Sequence, residues 1–82
     1  MSFYVYMLLS LNNKKKISYV GYSKDPKKRL ILHNNGLGAK FTRGRVWKLI
    51  FIKKFNNKNL ALKYEYELKN NTKLRNQIKN KH

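Results

Sequence analysis

Eighty-two residues leave room for one small hydrophobic core and little area for a second function. Twenty lysines and arginines against three acidic residues give a formal charge of +17, which points to a polyanionic partner, nucleic acid ahead of an anionic membrane. With no cysteine there is no disulfide partner and no thiolate zinc site. The two histidines cannot form a histidine-rich site, no long apolar stretch crosses a bilayer, and three carboxylates are too few for a two-metal nuclease.

In chain order, "MSFYVYMLLSL" is apolar enough for a signal peptide but lacks a positive leader and a small-residue cleavage site, and it alternates like a strand. We read it as core, with a cytoplasmic location expected. Phe3 to Leu9 forms the first strand and about Ile17 to Tyr22 the second, with a polar turn around Asn12 and Asn13. Asp25 is an N-cap and Pro26 a first helical residue. The helix runs from Pro26 to Asn35, with Gly36 free to take the left-handed conformation behind it.

The segment "GLGAKFTRGR" is a glycine-punctuated basic loop. "VWKLIFIKKF" follows as a third strand whose nearly continuous apolar run predicts the central, doubly covered place in the sheet. Asn56 or Asn57 caps a second helix, and "TKLRNQIKNKH", about residues 72–82, makes a short basic C-terminal helix or tail. The order ββαβαα predicts one α+β domain over 1–82, a three-stranded antiparallel sheet flanked by helices.

Strand parity decides whether the hairpin tyrosines cooperate. A two-residue turn sets Tyr6 opposite Tyr19; a four-residue loop keeps them on one face; a three-residue loop separates them. In the first helix Arg29 and His33 stand four apart on one ridge, away from Leu30 and Ile31. There the guanidinium can give a phosphate two parallel hydrogen bonds and the imidazole a third, or the pair can simply be solvated. On the second helix the apolar stripe is Leu60, Ala61, Tyr64 and Leu68, with Glu65 on one flank and Glu67 on the other, so periodicity does not choose between them.

Taken together, "VYM" at Val5 to Met7, "YVG" at Tyr19 to Gly21, Arg29, His33 and "ALKYEYELK" resemble the GIY-YIG nuclease superfamily, and closest to its small stand-alone bacterial members. "HNNGLGAKFTRGR" is also similar to the nuclease subunit of junction-cleaving endonucleases, without the cysteine-rich zinc module of that relative. Two departures stand out: the first motif lacks its glycine, and Tyr22 replaces the lysine that many relatives carry after the YIG glycine, a charge that Lys24 or Lys40 could replace.

The resemblance implies a metal-dependent, structure-directed DNA endonuclease. Glu65 would bind one Mg²⁺, or Mn²⁺, and Arg29 would clamp the phosphate. Tyr6 would act as base with Tyr19 positioning water or phosphate, the reverse being open, and His33 would relay a proton or orient the Tyr–phosphate network. Lys24, Lys27, Lys28, Lys40, Arg43 and Arg45 would grip flanking phosphates of nicked, flapped or branched DNA, and a targeting protein is a further expected partner. The alternative is a non-catalytic basic module for DNA or structured RNA, for which charge and aromatic residues suffice.

Overall fold

The computed structural model describes residues 2–11 and 15–82; the expected turn at Asn12 and Asn13 lies outside them. Strands β1 (Phe3–Ser10), β2 (Ser18–Ser23) and β3 (Trp47–Phe55) form an antiparallel sheet in the order β2-β1-β3. Helices α1 (Pro26–Asn34), α2 (Lys58–Lys69) and α3 (Thr72–Lys79) complete the α+β fold, and one 3-10 turn, Lys40–Thr42, interrupts the basic loop.

The caps are those the sequence predicts. The Asp25 carboxylate accepts from the Lys28 amide at 3.2 Å, Asn57 accepts from the amides of Asn59 and Leu60, and Gly36 takes φ 76° just beyond α1.

Two cores lie on opposite faces of the sheet. Val5, Met7 and Val20 pack against Ala61, Leu68 and Ile78 on one side, while Tyr6, Leu8 and Trp47 form the other core with Tyr19, Leu30 and Leu49 around them. The central strand is therefore β1, buried from Val5 to Ser10, and the expectation for β3 is corrected: it is an edge strand.

The cause is a bulge. Met7 pairs with Phe51 but Leu8 pairs with Leu49, so Ile50 is an extra residue and the alternation of β3 changes face there. Trp47 and Leu49 face one core, and Ile50, Phe51 and Phe55 the other. An apolar run that serves two faces in succession looks, in sequence, like one covered on both.

The hairpin register sets Tyr6 opposite Gly21 and Leu8 opposite Tyr19. This corrects direct Tyr6–Tyr19 pairing yet keeps both phenols on one face, as a four-residue loop requires. On α2 the buried positions are Ala61 and Leu68, with Tyr64 half-buried; Leu60, expected in the stripe, is exposed in the first turn. The inward line thus runs 61, 64, 65, 68, and Glu65 occupies a place where a core helix would carry an apolar residue.

Candidate active site

Tyr6 lies across Gly21. A methyl group there would fall 2.4 Å from the Tyr6 Cζ and hydroxyl, so the glycine of "YVG" is the space the phenol occupies. The ring is 1% exposed, and its hydroxyl meets His33 Nε2 at 2.8 Å.

The direction of the chain of hydrogen bonds follows from counting protons. Thr42 Oγ1 donates to the Ala39 carbonyl at 2.9 Å, so its single proton is spent and it must accept from His33 Nδ1, 2.9 Å away. Nε2 of the neutral ring then carries no proton, and Tyr6 O–H is the donor. Burial, reinforced by the Arg29 charge, holds His33 below its usual 6.5 and keeps it neutral.

Arg29 comes from the same ridge of α1, and its Nη2 donates to the Gly38 carbonyl at 3.3 Å. Its guanidinium also acts on the Tyr6 hydroxyl, favouring the ionised form. Burial raises the Tyr6 pKa above 10.0; the Arg29 hydrogen bond and charge oppose this, and the charges of Tyr19 and Glu65 add to it. Four expected residues therefore act on one hydroxyl, and Glu65 does so from a helix packed on the opposite face of the sheet. The Tyr19 ring, half-buried, stands 4.9 Å from that of His33 and 6.5 Å from that of Tyr6.

Glu65 keeps 19% side-chain exposure and pairs with Lys69 at 3.4 Å, whereas Glu67 is exposed. Glu65 offers a hard carboxylate oxygen of the kind a divalent ion takes, as a single donor: no cluster of three or more potential ligands stands among the described residues. Water and phosphate oxygens would fill the other positions, as Mg²⁺ prefers.

One expectation is corrected. The Arg29–His33 ridge faces the sheet, while Ile31 is 60% exposed; His33 is fully buried with both ring nitrogens engaged, so it is no third donor to a phosphate. Lys24, Lys27, Lys28, Lys40 and Arg43 are exposed on the α1 end and the loop, and Arg45 lies with its guanidinium carbon 5.5 Å from the Phe41 ring centre.

Sequence reasoning missed the loop's own contribution. Beside Thr42, Gly38 leaves room for the His33 ring: a methyl group there would sit 2.2 Å from Nδ1. Asn34 clasps the Trp47 backbone, accepting from its amide at 2.7 Å and donating to its carbonyl at 3.2 Å, and the Trp47 indole donates to the Thr42 carbonyl at 3.0 Å. The available signal was Thr42 nine residues after His33 in an otherwise basic, glycine-broken loop.

The family model for the GIY-YIG catalytic domain matches residues 2–79. A UPF0213 protein of Staphylococcus saprophyticus is 52% identical over 52 residues, 62% of this chain and 63% of that one; another, of Clostridium perfringens, is 44% identical over 71 residues, 85% and 73%. The solution structure of a UPF0213 protein from Bacillus halodurans matches with a TM-score of 0.55 at 36% identity, covering 94% of this chain and 80% of that one. GIY-YIG proteins form a nuclease family that acts on DNA and generally uses a divalent metal ion. The span matched and the identity of these relatives show that this chain belongs to the GIY-YIG family.

Proposed function

We propose that the protein is a metal-dependent DNA endonuclease that hydrolyses phosphodiester bonds and selects its substrate by shape, as in DNA repair or recombination. The observation that carries this reading is the meeting of Arg29, His33, Tyr19 and the field of Glu65 at the Tyr6 hydroxyl.

Glu65 would hold one Mg²⁺ or Mn²⁺ ion, whose charge offsets that developing on the scissile phosphate and the leaving oxygen. Arg29 presents a planar donor pair to the phosphate. Water attacks phosphorus as the bond to the leaving oxygen breaks; the water proton passes to the Tyr6 oxygen, the phenol's own proton moves to His33 Nε2, and the leaving oxygen departs with the bonding pair and takes a proton from solvent. Tyr19, at the mouth of the pocket, orients that water or the phosphate.

In this relay Tyr6 never has to persist as a phenolate, which suits a hydroxyl whose pKa is raised, and His33 is available because its pKa is lowered. The exposed lysines and arginines of α1 and the loop grip flanking phosphates without reading bases.

Incubation with nicked, flapped and branched DNA tests the reading. Cleavage is expected with Mg²⁺ and not with chelator. Glu65→Gln and Arg29→Ala should each slow it by about 100- to 1000-fold, the scale of losing one preorganised charge contact, while binding persists. Binding without cleavage of any substrate would instead favour a non-catalytic module. In an active enzyme the acid limb of kcat/KM should inflect below 6.5, because the proton acceptor is a histidine of lowered pKa.

A further inference from the structure

Beside the pocket lies an open cleft of about 320 Å³ lined by Ser18, Tyr19, Val20, Lys69, Arg75 and Lys79. No carboxylate lines it, and three cations do. Tyr19 belongs to both places: its ring lies 4.9 Å from that of His33, and the residue also lines the cleft, at the β2 edge of the sheet.

The cations are held by structure. Arg75 donates to the carbonyls of Leu68 and Lys69, at the end of α2, and to Thr72 Oγ1, which fixes its guanidinium between the two helices. Lys79, one turn further along α3, reaches back to the Lys16 carbonyl at 3.3 Å, in the segment that leads into β2. Lys69 stands between this cleft and Glu65. The lining offers cationic donors and the hydroxyl-bearing Ser18 and Tyr19, the chemistry of a phosphate contact and not of base reading.

We propose that this cleft is a second phosphate site, holding the DNA backbone on the α3 side of the scissile phosphate, with Lys79 as its main contact. The proposal rests on the nuclease reading of the neighbouring pocket.

The test is binding of a labelled nicked duplex across a salt series, with chelator present so that no cleavage occurs. One lost phosphate contact flattens the slope of log K against log salt by about 0.9. Lys79→Ala should show that flattening and weaker binding, Lys79→Arg should restore both, and Lys63→Ala, which removes the same charge outside the cleft, should leave the slope unchanged. Equal effects of Lys79→Ala and Lys63→Ala, no effect of Lys79→Ala, or a loss seen with duplex RNA and not with DNA would overturn the site. Loss of the nuclease reading alone would appear differently: the Lys79 effect on DNA binding intact, with no substrate cut under any metal.

Discussion

Two glycines make room for the two rings at the centre of the site, and each is a point of test. Gly21→Ala drives a methyl group into the Tyr6 phenol and Gly38→Ala drives one into the His33 imidazole. Overpacking of this kind costs about 1–3 kcal/mol, and each kcal/mol lowers Tm by about 4–8 °C in a domain of this size; thermal denaturation should show that drop in both variants.

His33 adds a dependence on pH. The unfolded chain takes up its proton near 6.5 and the folded chain only at lower pH, so the stability is fully present above about 6.5 and is lost as pH falls through the folded pKa. Tm should fall on acidification, and His33→Gln should lessen that fall even though it lowers Tm at neutral pH.

Tyr6, Tyr19, Arg29 and Glu65 were visible in the sequence because their order and spacing form a motif. The burial of His33 was not. The sequence left its ridge as either a phosphate grip or a solvated pair, and neither reading buries the imidazole; a satisfied Tyr6–His33–Thr42 chain takes the place of apolar contact there. Glu65 eluded the helical pattern for the same reason: hydrophobic periodicity does not register a polar residue that faces inward.

At the scale of elements, local signals of capping and turn chemistry set the boundaries of α1, α2 and α3 well. Tertiary pairing decided what the sequence left open. The β3 bulge splits one apolar run between two cores, and only the partner strand reveals where the face changes. The basic loop, legible as a loop, is an organised segment tied at both ends: Asn34 holds Trp47, Trp47 holds the Thr42 carbonyl, and Thr42 holds His33.

Cutting that tie at its outer end tests it. Asn34→Ala should destabilise the fold by about 1 kcal/mol, the usual scale for hydrogen bonds of this kind, read as a lower midpoint in urea. It should also slow cleavage beyond what the unfolded fraction accounts for, since the imidazole loses its fixed tautomer partner. Unchanged cleavage in a destabilised Asn34→Ala variant would show the loop to be scaffold alone.

Across the whole molecule, a charge of +17 with one carboxylate turned inward among the described residues divides the work in the proposed reading: the cationic surface would draw in DNA, and Glu65 would hold the metal ion. Long-range attraction is screened by salt while the interior relay is not. Raising salt should therefore raise KM steeply and leave kcat nearly constant, as steady-state kinetics over a salt series will show.

The central claim is that Glu65 and the Tyr6–Arg29 centre share a single ion pocket although they come from opposite faces of the sheet. The most direct measurement is a Mn²⁺ titration of the isotope-labelled protein followed by paramagnetic broadening of its NMR signals. Broadening should centre on Glu65 and extend to Tyr6, Tyr19 and the Arg29 side chain, and vanish in Glu65→Gln; broadening centred on Asp25 or Glu67, or surviving that substitution, would contradict it.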